Sequence, residues 1–225
     1  MTLVWSANAA SSSIGFAKVK RTVVATAPVV FLMTAVALFL MIAVALAQTS
    51  QDKNDCLGRD NASYDQIIAG CTRVIQLGGL GGPELAAAYF SRGMAYSLKT
   101  QPDLAIQDLD QVLKLTPDDA TAFDERGAAY FSKGDFDHAL TDFNQSIRLN
   151  PNDFTAYNNR GTIYYALSQW AKAVADFTLA IGLNPNVGRI YLSRAFALDK
   201  LGQQDQAKAD YAKAIRLDPS LLRRQ

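Results

Sequence analysis

Proline recurs at positions 83, 117, 151, 185 and 219, a constant step of 34 residues. The five residues ending on each of the last four read LKLTP, IRLNP, IGLNP and IRLDP. A chain that returns to the same text at this interval is one supersecondary unit repeated. A single copy cannot bury its apolar face alone, so the copies must stack. The fullest copy runs from Ala120 to Pro151, ATAFDERGAAYFSKGDFDHALTDFNQSIRLNP.

Within that copy Phe123, Gly127 and Tyr130 fall at helical spacing, Lys133-Gly134-Asp135 interrupts the pattern, and Ala139, Phe143 and Ile147 resume it. The unit is helix, tight turn, helix, closed by a proline that cannot continue the second helix. Glycine at the crossing lets the helices approach, and alanine four residues before an aromatic leaves room for its ring. The preceding copy has Tyr89, Gly93, Tyr96, Ala105, Leu109 and Pro117 at the same places. The following ones have Tyr157, Gly161, Tyr164, Ala173, Phe177 and Pro185, then Tyr191, Ala195, Leu198, Ala207, Tyr211 and Pro219. The departures, Leu109, Ala195 and Leu198, keep small residues small and apolar ones apolar.

This pattern resembles the tetratricopeptide repeat, whose signature runs aromatic, Gly, Tyr, Ala, aromatic, Pro. The resemblance covers residues 83–219 and implies an all-α, right-handed α-solenoid. Its four full repeats would be 83–117, 118–151, 152–185 and 186–219, behind a degenerate N-terminal half-repeat. Arg92, Arg126, Arg160 and Arg194 stand just before the small residue of each first helix, and Asp108, Asp142, Asp176 and Asp210 recur in each second helix. A cation and an anion repeated in every unit predict a ladder of ion pairs between helices, with the arginine stems packed.

Residues 1–47 contain no acid, and Lys18, Lys20 and Arg21 precede an apolar run from Val23 to Ala47. That arrangement predicts an export signal cleaved after Ala47, or else an uncleaved anchor, since the run is about long enough to span a bilayer. Both readings put residues 48–225 outside the cytosol, periplasmic or secreted, with membrane contact only through the N-terminal segment. Residues 48–82 read as a cap. Asp65–Leu77 aligns with Asp103–Leu115, placing Cys71 on Leu109 and Cys56 on Met94, in a first helix that Gly58, Asp60 and Asn61 should keep short. Facing helices in an exported chain favour a Cys56–Cys71 disulfide, with two buried thiols as the alternative. Gly78-Gly79-Leu80-Gly81-Gly82 then inserts four residues relative to later junctions. At the far end, in the tail 220–225, Leu221 and Leu222 are candidates for self-association if they extend the last helix.

Lysine plus arginine total 22 against 21 for aspartate plus glutamate, so no basic stripe exists to neutralise nucleic acid. A single histidine, His138, and two cysteines leave too few parts for a catalytic triad or zinc site, and no cofactor is implied. His138 reads as exposed and inert, and Asp124-Glu125 as a solvated face. The resemblance instead implies a non-enzymatic scaffold that takes a peptide or partner helix in a groove lined by the first helices. Mapped repeat by repeat, that groove holds Phe90 and Met94, then Asp124, Glu125 and Phe131, then Asn158, Asn159, Thr162 and Tyr165, and last Arg189 and Phe196. The large apolar groups stand where the scaffold does not require them, and the asparagines suit an extended backbone. With acids in the middle, a neutral or mildly basic apolar segment should be preferred over an acidic tail. The rival readings are a self-assembling or envelope-organising protein and, behind it, a small-molecule binder or enzyme.

Overall fold

The computed structural model describes residues 27–224, and every regular element among them is helical. The expected signal lies partly outside the described residues. Two compact units are present, residues 1–45 and residues 46–225. The helix α1 (Ala27–Cys56) includes Ala47 and Gln48.

The second unit is a stack of helix pairs. After the end of α1 comes a short 3-10 turn at Arg59–Asn61 and then α2 (Tyr64–Leu77). The pairs α3 (Gly82–Leu98) with α4 (Pro102–Leu115) and α5 (Ala120–Ser132) with α6 (Phe136–Leu149) follow. The series ends with α7 (Phe154–Ala166) and α8 (Trp170–Leu183), then α9 (Gly188–Lys200) and α10 (Gln204–Leu217). Each pair packs mainly within itself and then on the next helix in sequence.

Local chemistry sets the element ends. Each second helix stops at the residue before Thr116, Asn150, Asn184 or Asp218, whose backbone is extended as the following proline demands. Each turn within a repeat needs one left-handed residue, and it comes at Thr100, Gly134, Ser168 and Gly202, with φ between 56° and 78°. Just beyond it, the N–H groups of Gln101, Asp135, Gln169 and Gln203 donate back to the carbonyls of Tyr96, Tyr130, Tyr164 and Leu198. That is the long bond of a Schellman-type helix end. Asp119, Asp135 and Asp153 cap the starts of α5, α6 and α7 through their carboxylates.

The crossing within each pair is close. A Cβ at Gly127 would stand 3.0 Å from the Phe143 ring, and one at Gly161 2.9 Å from that of Phe177. Phe143, Phe177, Ala139 and Ala173 are fully buried at these crossings.

The ion-pair ladder is present in all four repeats. Arg92, Arg126, Arg160 and Arg194 each grip Asp108, Asp142, Asp176 or Asp210 through Nε and Nη2 at 2.7–2.8 Å. The guanidinium lies 5.5–5.8 Å from the ring centroid of Tyr89, Phe123, Tyr157 or Tyr191. Its remaining nitrogen, Nη1, reaches back to the preceding second helix, to Thr72, Asp110, Asn144 and Thr178 in turn. One arginine therefore ties three helices: its own, its partner and the one before. Hydrogen bonding to the aspartates raises the pKa of all four arginines, so each stays charged despite partial burial.

Two expectations about the ends are corrected. The first helix of the cap is not short: α1 has 30 residues, and its last turns carry Asp52, Asp55 and Cys56, all buried. Gly58 and the 3-10 turn end that helix but do not shorten it, because it grows backwards out of the apolar run. At the other end Leu221 does not extend α10. A 3-10 turn, Pro219–Arg224, folds it back against Tyr191 and Ala214, where it is buried. Leu221 thus covers the end of the array, and the condition on which it was a candidate for self-association, an extended α10, is not met.

Candidate functional site

Successive first helices touch one another, α3 with α5, α5 with α7 and α7 with α9, whereas successive second helices make no comparable contact. The stack therefore curves toward the first helices, and their free faces line its concave side.

Apart from a recess of about 430 Å³ at Ala87, Phe90, Ser91 and Thr121, three separate places along that side gather the expected residues. Phe90 and Met94 meet the cap, sharing a recess of about 210 Å³ with Leu57, Tyr64 and Ile67. Further along, Thr162, Tyr165 and Phe196 converge with Ser193 over the Phe177 ring, lining a pocket of about 180 Å³ between α7 and α9. Between these lies a polar cluster. Asn159 donates to Asp124 Oδ2 at 3.4 Å across the gap from α7 to α5, and Asn158 contacts Asn159 Oδ1 at 3.5 Å. Arg189 is exposed at the start of α9 and belongs to none of the three.

Asp124 overturns the expectation of a solvated acidic face. The residue is only 8% exposed, and Oδ1 has no hydrogen-bond partner. Burial pushes its carboxyl up to about 7, with Asp153 and Glu125 adding to the rise and the Asn159 hydrogen bond opposing it. Glu125 is raised as well, first by burial and then by Asp153. The helix α7, one repeat on, covers Asp124 and desolvates it. Asp153 was not recognisable as part of this cluster, although its place as an N-cap is a local signal; its carboxylate binds the N–H and hydroxyl of Thr155.

The groove aromatics are also less idle than their positions suggested. Phe131 packs on Phe136, with ring centroids 5.7 Å apart, and on the buried Ala139–Phe143–Ile163 cluster. Tyr165 packs on the cluster around Phe177 and Ile190. Phe196 meets Tyr211 edge to face at 5.7 Å yet stays 42% exposed. Tyr211 in turn donates to Asp199, and burial together with that carboxylate pushes its hydroxyl up to about 12. His138 is exposed, stacks on Tyr130 at 5.0 Å and lies 2.8 Å from Asp135 Oδ2.

Sequence profiles of known families agree with the geometry. A TPR repeat profile matches residues 127–168, and tetratricopeptide repeat profiles match 86–119, 154–187 and 188–221. The chain belongs to the tetratricopeptide repeat family, a class of protein-interaction scaffolds. Among solved structures, a "Crystal structure of MamA protein" superposes with a TM-score of 0.64 at 22% identity, covering 80% of this chain and 97% of that one. A "MamA RS-1 ArsTM double mutant" gives 0.67 at 18% identity, covering 77% and 96%. At these identities the likeness shows the fold. Comparison with functionally curated proteins returned no match.

Proposed function

We propose that this protein is a non-enzymatic scaffold, exported to the bacterial periplasm, that holds a peptide or partner helix in its concave groove. The observation that carries the reading is the pocket between α7 and α9. Its walls are Tyr165 and the partly exposed Phe196, and Thr162 and Ser193 stand at its edge. A pocket of about 180 Å³ accommodates one large apolar side chain, and aromatic walls flanked by the Thr162 and Ser193 hydroxyls suit an anchor residue on an extended segment. Export is supported by the acid-free leader and by Cys56 and Cys71, whose sulfurs lie at bonding distance, 2.11 Å. Cleavage after Ala47 leaves residues 48–56, and with them Asp52, Asp55 and Cys56, the α1 residues buried among those described.

Crosslinking in the native compartment tests the reading. Phe196→Ala trims the exposed wall of the pocket and leaves the buried crossings intact, so it should reduce partner crosslinking while the helical signal and melting curve stay close to wild type. Equal crosslinking by both proteins would remove the groove assignment. Mass measurement of the chain recovered from the periplasm tests cleavage at Ala47.

A further inference from the structure

Most buried aspartates of the array are supplied with a cation, and Asp124 is not. Arg126 and Arg160, the arginines of the two helices that flank it, are already held by Asp142 and Asp176. Glu125 and Asp153 act on Asp124 as like charges, and the amide of Asn159 donates to its Oδ2 at 3.4 Å. Asp124 as a residue is over nine-tenths buried, and its Oδ1 is inaccessible and unpartnered. An uncompensated buried acid is costly, and the ordinary remedy is a donor or a cation placed beside it.

We propose that the ligand of the groove supplies that cation: a lysine or arginine seated on Asp124, Glu125 and Asp153, followed or preceded by a large apolar residue in the Tyr165–Phe196 pocket. This rests on the groove reading above and narrows it to a class of partner, an extended segment with a basic and an apolar anchor. Glu125, the next residue on α5, is half-buried and so presents part of the acidic cluster to the groove. The spacing follows from helix geometry. From Asn159, which touches the acidic cluster, to Tyr165 is six residues of α7, about 9 Å along the axis at 1.5 Å per residue. The cluster lies on the α5 side of α7 and the pocket on the α9 side, so this axial step is a lower bound, and an extended strand needs at least about three residues to cover it.

Fluorescein-labelled ten-residue Gly/Ser peptides bearing one lysine and one leucine at spacings of one to five residues test this on the full chain in detergent. A peptide with a spacing of three to five should bind best, and replacing its lysine by glutamine should weaken it about tenfold. Asp124→Asn and Glu125→Gln should each weaken the lysine peptide severalfold and leave the glutamine peptide unchanged, whereas Phe196→Ala should weaken both. Equal binding of the lysine and glutamine peptides, both sensitive to Phe196→Ala, overturns the cation site and keeps the groove. Binding that ignores all three substitutions overturns both.

Discussion

The cap and the repeats solve the same packing problem with different chemistry. In every repeat an arginine on the first helix and an aspartate on the second close the crossing through a bidentate pair. Aligned with an offset of 38 residues, the cap has Asn54 where the arginine should be and Gly70 where the aspartate should be. Without a side chain at Gly70 the two backbones close in: a Cβ there would stand 2.7 Å from the Asp52 carbonyl and 2.8 Å from the Asp55 Cβ. The disulfide one residue later uses that closeness, with Cα atoms 4.4 Å apart. The cap's ion pair, Arg73 to Asp52 at 2.7 Å, has moved to the rim, where the arginine is half exposed. An interior repeat has neighbours on both sides to hold its arginine, since Nη1 needs the helix before it. An end unit lacks that neighbour, and a covalent bond replaces it.

The sharpest way to break the comparison is at the ladder. Arg126→Ala leaves Asp142 buried and unpaired and should cost about 3–5 kcal/mol in urea unfolding. Arg126→Leu with Asp142→Leu should recover much of that loss. A cost below about 1 kcal/mol for the single variant would mean that the pair is only a surface contact.

At the cap, Cys56→Ser with Cys71→Ser should cost about 3 kcal/mol, the amount associated with closing a loop of about 15 residues. Amide exchange should rise in α2 and stay unchanged from α5 onward. A rise spread evenly over the chain would contradict the separate holding of the cap.

The two regions should also answer pH in opposite directions. Asp52 is held below the ordinary carboxylate range by Arg73, so its contribution is present above pH about 4 and is lost on further acidification. Asp124 is raised to about 7, so its contribution is full below pH about 4 and is lost as pH climbs through 7. Asp124→Asn should therefore stabilise the array at pH 8, by about 2 kcal/mol after allowing for the buried amide, and have little effect at pH 4. Melting curves of the two proteins at both pH values check this.

The smallest expected effect concerns the turns. Ser168 occupies a left-handed position with φ of 58° where the repeats before and after have Gly134 and Gly202. Ser168→Gly should stabilise by up to about 1 kcal/mol. The cap makes its bend differently, with a 3-10 turn that has left-handed Gly58 before it and left-handed Asn61 at its end.

Much of this was legible in the text of the chain. The proline step, the Gly–aromatic crossings and the arginine–aspartate ladder are local patterns repeated four times, and each copy corroborates the others. The cap was legible only by alignment, and its first helix was misjudged because the apolar run that lengthens it also reads as an export leader. Leu221 was misjudged because its burial depends on a chain reversal after Pro219 that no periodicity announces. In the groove, Phe131 looked free, since a helix face chosen by spacing says nothing of Phe136 turning toward it.

By itself, then, the sequence determined the array, its four units, the helix ends and the ion-pair ladder, because these depend on residues within one repeat and recur at its period. Only the tertiary structure decided which neighbours the stacking brings together: Arg126 with Asp110, Asn159 over Asp124, Leu221 on Tyr191. Those contacts join different units, and what they do depends on residues that differ between units. Asp124 is the clearest case. Thirty-five residues separate it from the amide that covers it, and that distant contact turns an ordinary surface acid into the uncompensated carboxyl of the groove.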